Sequence, residues 1–80
     1  MKIALLQGSF SPKEIEKIIT ELIQVKIKFH EEKIQSSEQE ETIKMREKRI
    51  IKLQNDIKEV RTLLKNKNSL INVNAEIVIS

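Results

Sequence analysis

Phe29-His30-Glu31-Glu32-Lys33-Ile34-Gln35-Ser36-Ser37-Glu38-Gln39-Glu40-Glu41-Thr42-Ile43 is the stretch whose reading decides the fold. It lies in the middle of a heptad register. Ile15, Leu22 and Phe29 precede its centre at Ser36, and Ile43, Ile50, Ile57 and Leu64 follow at the same spacing. Ile18, Val25, Leu53 and Val60 hold the companion positions. Such an a/d seam buries one helix against another. Here it is apolar at both ends and polar in the middle, where Glu32, Ser36, Gln39 and Arg46 take seam positions, so it is built to fold back or to mate at its centre.

Two helix starts are written into the chain. At the first, Ser11 and Glu14 form a capping box, Pro12 takes the first helical position and Phe10 can staple onto Ile15. At the second, Ser37-Glu38-Gln39-Glu40 repeats the pattern, and Glu41 adds charge that the helix dipole favours. Pairing the heptads antiparallel gives the layers Ile15/Val60, Ile18/Ile57, Leu22/Leu53 and Val25/Ile50, then Phe29/Arg46 and Glu32/Ile43. That register centres the turn on Ser37 and Glu38, where the second cap already lies, and the agreement favours a helical hairpin. A helix continuing through Ser36 and Ser37 would make the same layers between two chains.

The ends read as strands. Ile71, Val73, Ala75, Ile77 and Ile79 alternate with Asn72, Asn74, Glu76 and Val78. Lys2-Ile3-Ala4-Leu5-Leu6-Gln7 is apolar on both sides and stops at Gly8-Ser9, which reads as a turn. The expected class is therefore mainly α with a small β element, in the order β-α-α-β, as one domain over residues 1–80. Strands at 2–7 and 70–79 close the base of an antiparallel coiled-coil hairpin with helices at 12–35 and 38–66 and a turn at 36–37.

Eighty residues bury too little surface to make an isolated monomer comfortable, so self-association is expected. A second stripe on the first helix, Ile19, Ile23, Ile27, His30 and Ile34, lies well round from the seam. It is expected to pack against a second protomer and give a four-helix dimer. The competing reading has some of these isoleucines covering the strands of their own chain.

Catalytic and cofactor signatures are missing. With no cysteine and one glycine, thiolate chemistry and glycine-rich phosphate loops are excluded. His30, the single histidine, stands before Glu31 and Glu32 but lacks the second histidine a helical metal pair needs. The acidic residues at 31, 32, 38, 40 and 41 surround a turn rather than a cleft. No enzyme, metal or cofactor is expected.

Net charge is +3, and the densest basic run is Lys44-Met45-Arg46-Glu47-Lys48-Arg49-Ile50-Ile51-Lys52. Lys44, Lys48, Arg49 and Lys52 are the candidates for non-specific phosphate contacts if the chain meets nucleic acid. The run interrupts the seam and leucines do not recur at d, unlike the basic region of a leucine-zipper DNA binder. A solvated face with pairs such as Glu40 to Lys44 is the simpler reading. The apolar start ends at Gln7, too short for a secretory leader, and no run approaches a membrane span. The expectation is a non-enzymatic, cytoplasmic interaction or scaffold protein, homodimeric, with an unidentified protein partner, nucleic acid being the secondary choice.

Overall fold

The computed structural model describes residues 1–80 and runs β1 (Lys2–Phe10), α1 (Pro12–Gln35), α2 (Glu40–Leu64), β2 (Ile71–Val78). The helices form an antiparallel hairpin and the strands a two-stranded antiparallel ribbon at its open end.

α1 begins as its sequence dictates. Ser11 Oγ accepts from the Glu14 amide at 3.2 Å, and the Ser11 amide donates to Glu14 Oε1 at 3.1 Å. Hydrogen bonding to the Glu14 carboxyl from the Ser11 side chain, and then from its backbone amide, holds that carboxyl below its usual pKa. No glycine closes α1; the Ser36 hydroxyl instead donates to the Lys33 carbonyl at 3.2 Å, satisfying one of the orphaned acceptors of the last turn.

The second cap works differently from expectation. Ser37 Oγ accepts from the Gln39 amide at 3.3 Å, which closes a tight turn but leaves Ser37 outside the helix. Gln39, with extended backbone, is the N-cap and makes no side-chain cap bond, so α2 starts at Glu40 rather than at residue 38. The connection is four residues long, 36–39, instead of two. α2 ends at Leu64, two residues short of expectation, where the Lys67 amide turns back to the Leu64 carbonyl at 3.1 Å.

β1 also departs from its expected bounds: it runs through Gly8 and Ser9 to Phe10 instead of turning there. Gly8 carries φ 131° and sits opposite Val73, so the residue that reads as a turn absorbs a left-handed backbone inside the ladder. A bulge lies between Ala4 and Leu6. It matters because side chains alternate, and one extra residue reverses their parity. Ile3 pairs with Ile77 and Leu6 with Ala75, while Met1 and Ile79 exchange hydrogen bonds of 2.8 and 2.7 Å. Met1, Ile3, Leu6, Gly8 and Phe10 therefore share one face with Ile71, Val73, Ala75, Ile77 and Ile79. Lys2, Ala4, Gln7, Ser9, Asn72, Asn74, Glu76 and Val78 share the other. The two-sided apolar run of β1 thus becomes a one-sided strand.

That first face is covered only in part: Leu6, Gly8, Phe10, Ile71, Val73 and Ala75 are half-buried, while Met1, Ile3, Ile77 and Ile79 beyond them are exposed. The Cα atoms span 47 × 33 × 13 Å, and the radius of gyration is 15.2 Å where a compact chain of this length has about 11.6 Å. Only four of its 80 residues are buried: Ile15, His30, Leu53 and Leu64.

Candidate functional site: the hairpin seam and the surfaces it leaves open

On α2 the seam falls where the heptads put it. Leu53 and Leu64 are buried, and Ile43, Arg46, Ile50, Ile57 and Val60 are half-buried. On α1 the helix is turned. Ile15 is 1 % exposed, but Leu22, Val25 and Phe29 are 39, 69 and 49 % exposed, and Ile18 is half-buried. The stripe expected to meet a second protomer instead faces α2 in this chain: Ile19, Ile23, Ile27 and Ile34 are half-buried and His30 is 3 % exposed. The layers Leu22/Leu53, Val25/Ile50 and Phe29/Arg46 are thus displaced sideways. Their axial level is close to expectation, since the two polar contacts across the seam are Arg46 to His30 at 3.0 Å and Arg61 to Glu16 at 3.3 Å. From Ile15 the covered positions on α1 advance by four, four, four, three and four, a longer period than the 3.5 residues of a left-handed supercoil.

The His30–Arg46 contact fixes a protonation state. Arginine has only donors, so His30 Nδ1 must accept the bond from Arg46 Nη1, and the proton of the neutral ring sits on Nε2. Burial first, then the charges of Arg46, Arg49 and Lys26, push the His30 pKa below its ordinary value, so the ring is neutral at pH 7. Nε2–H and Arg46 Nε are both buried without a partner. The Arg46 guanidinium lies 5.7 Å from the centre of the Phe29 ring, Lys33 Nζ lies 5.6 Å from it, and the His30 ring meets Phe29 edge-on at 5.8 Å. Arg46 thus stands beside Phe29 as the seam suggested, but it pairs with His30 and makes no ion pair with Glu32.

Beside His30 a groove of about 250 Å³ opens between the helices, lined by Lys26, His30, Arg49, Lys52, Leu53 and Asp56. Heptad reading missed it because only Arg49 and Lys52 lie in the basic run, and Lys26 comes from the other helix. Of the four phosphate candidates, Lys44 is paired with Glu40 at 3.4 Å and Lys52 with Asp56 at 3.2 Å, both on exposed helix faces, while Lys48 and Arg49 have no carboxylate partner. A shallower depression of about 520 Å³ beside Arg61 and Glu16 mixes Lys13 and Lys17 with Glu21 and contains no buried group. No three metal-ligating side chains converge in the fold, and no helix is long and apolar enough to cross a membrane.

Comparison with known proteins supplies no relative: no protein-family model matches the chain, and neither a curated protein nor a solved structure matches it.

Proposed function

We propose that this chain is a non-enzymatic interaction module that works as a homodimer, one copy supplying the second layer that the other lacks. The observation that carries this reading is that only four of the 80 residues are buried, since a stable domain buries its apolar faces between packed layers. The exposed surface agrees. It measures 6618 Å², where a folded chain of 9.4 kDa exposes about 5,000 Å². The excess of roughly 1,600 Å² per chain is on the scale that obligate dimers bury.

Two uncovered apolar surfaces are available. One is the outer stripe of α1, Leu22, Val25 and Phe29; the other is the ribbon face, where Met1, Ile3, Ile77 and Ile79 stand exposed. A two-stranded ribbon is marginal in water unless its face is covered, and here the outer part of that face stays open. The dimer interface is therefore assigned to these surfaces, and the Ile19–Ile34 stripe to the hairpin seam. In such an assembly the charged outer faces of α2 are left to meet a protein partner.

Light scattering tests the proposal. The native chain should show twice its 9.4 kDa mass, and a variant carrying Leu22→Glu and Val25→Glu should keep its helical spectrum while falling to 9.4 kDa. A native chain monomeric at tens of micromolar (~10⁻⁵ M, within reach of a weak interface) would overturn it.

A further inference from the structure

We propose that two copies of the chain pair β2 against β2 about a two-fold axis at Ala75, joining the two ribbons into one four-stranded antiparallel sheet. This pairing presupposes the homodimer proposed above and gives its central contact. Backbone direction decides which groups the open edge of β2 presents. The Ile79 amide donates to the Met1 carbonyl at 2.7 Å and the Met1 amino group donates to the Ile79 carbonyl at 2.8 Å, so the two form a hydrogen-bonded pair. On an antiparallel strand such positions recur every second residue. Ile71, Val73, Ala75 and Ile77 therefore turn their N–H and C=O groups toward β1, and Asn72, Asn74, Glu76 and Val78 turn theirs toward the open edge. Those four residues are exposed, and the two-stranded sheet leaves the edge without a neighbour.

The other edge is blunted. β1 carries Lys2, the bulge between Ala4 and Leu6, and Gly8 with its φ of 131°, all features that spoil an edge as a template for a further strand. β2 carries no proline, glycine or lysine, and its residues pair without interruption from Ile71 to Val78.

The sequence of β2 is complementary to its own reverse in one register. Residues opposed across an antiparallel pair share a face, so the axis must fall on a residue. An axis at Glu76 would set two carboxylates directly opposite each other, which is destabilising. An axis at Asn74 would leave Val78 and Ile79 facing Leu70 and Ser69 of the second copy, which lie outside the strand. The axis at Ala75 sets Asn72 against Val78 and Asn74 against Glu76, so every outward N–H and C=O of β2 finds a mate and the carboxylate faces an amide. On the apolar face it sets Val73 against Ile77 and Ile71 against Ile79. Each of these pairs brings an isoleucine that stands exposed in one copy beside a half-buried residue of the other. The assembly closes, because both β2 edges are used and the outer strands are the two bulged β1 strands. The edge fixes the register of the dimer, and the uncovered apolar surfaces supply the rest of its buried area.

The lack of cysteine makes the test direct, because a single introduced thiol can bridge only to its counterpart in another copy. At the axis the two Ala75 Cα atoms oppose each other in a non-hydrogen-bonded pair, about 4.5 Å apart and within reach of a disulfide. In the same register the two Asn74 Cα atoms are about 8 Å apart and the two Val73 Cα atoms about 14 Å, both too far. The full chain carrying Ala75→Cys, Asn74→Cys or Val73→Cys is oxidised in a glutathione buffer, and covalent dimer is followed on non-reducing gels. Ala75→Cys should form it about tenfold faster than either of the others. As a second measurement, Asn74→Pro removes an outward donor while leaving the bonds to β1 in place, and should weaken the dimer about tenfold in sedimentation equilibrium with the helical spectrum retained. A dimeric native chain in which Ala75→Cys cross-links no faster than the other two, or in which Asn74→Pro leaves the affinity unchanged, would overturn the edge pairing and leave self-association standing. A monomeric native chain would overturn both.

Discussion

Replacing both members of the buried polar pair should stabilise the hairpin, whereas replacing either alone should weaken it. His30 and Arg46 share one hydrogen bond of 3.0 Å, and each retains one buried nitrogen without a partner. A buried unsatisfied donor costs about 1–3 kcal/mol, so the two orphans together cost roughly 2–6 kcal/mol. The shared bond, assisted by the guanidinium charge, returns about 1.5–3 kcal/mol. Taking the middle of each range, His30→Leu with Arg46→Met should raise stability by about 1–3 kcal/mol, in line with other buried polar groups exchanged for apolar ones of similar volume.

The single changes have the opposite sign. Arg46→Met strips the remaining partner from a ring that is 3 % exposed, leaving both nitrogens unpaired, and should cost about 2–3 kcal/mol. His30→Leu should cost less, about 1–2 kcal/mol, because the guanidinium keeps its place on the Phe29 ring and is nearer to water. For a domain of this size 1 kcal/mol moves Tm by about 4–8 °C, so the sign change is measurable by thermal or urea unfolding followed by circular dichroism. Protein concentration must be held fixed, because self-association adds stability by mass action. A double variant less stable than the native chain would refute the reasoning, since it would mean that the pair contributes more than its two orphans cost.

Acidification should act through the same ring. An unfolded histidine binds its proton near pH 6.5, whereas burial and then Arg46, Arg49 and Lys26 keep the folded ring from doing so until lower pH. The unfolded state therefore holds more protons in that window: stability is full above about pH 6.5 and falls as pH drops below it, and His30→Leu should flatten this part of the urea-midpoint profile. Gly8→Ala should cost about 1–3 kcal/mol, through its φ of 131° rather than a clash, because an added Cβ meets nothing within 4 Å; faster amide exchange confined to the ribbon is the check. Ser11→Ala removes the capping box and should cost about 1 kcal/mol in urea unfolding, with Ser11→Gly closer to neutral.

Much of the fold was legible because several local signals agreed. The Ser11–Glu14 box, the alternation of β2 and the heptads of α2 each rest on one periodicity or one cap, and the structure keeps them all. The rotation of α1 was not legible, because its apolar residues cover most of its circumference. Ile15, Ile18, Ile19, Leu22, Ile23, Val25, Ile27 and Phe29 supply two usable stripes, and counting in sevens selects the one that a supercoil would bury. A two-helix hairpin has one seam, and the charge-bearing contacts, Arg46 with His30 and Arg61 with Glu16, lie on the other stripe's side. The bulge at Leu5 was hidden for a related reason: an alternation count assumes constant parity, and β1 changes parity in the middle. The groove was hidden because its cations come from two helices, and which of them meet depends on the rotation of α1.

The polar centre of the seam still admits two ways of closing it, and the uncovered surfaces separate them. The turn at 36–39 is held by local bonds, from Ser36 to Lys33 and from Gln39 to Ser37, which a continuous helix would exchange for helical ones at little net difference. A swapped rod therefore keeps every layer of the closed hairpin, with each seam shared between two chains. It also keeps the same apolar surfaces open, since Leu22, Val25, Phe29 and the ribbon face belong to neither version of the seam. A closed hairpin that finds its second layer is thus a dimer, and a swapped rod that does so is a tetramer. Glutamates at Leu22 and Val25 should take the first to a monomer and the second to a dimer. The mass of that one variant, beside the native mass, identifies the closure that the heptad layers alone leave degenerate.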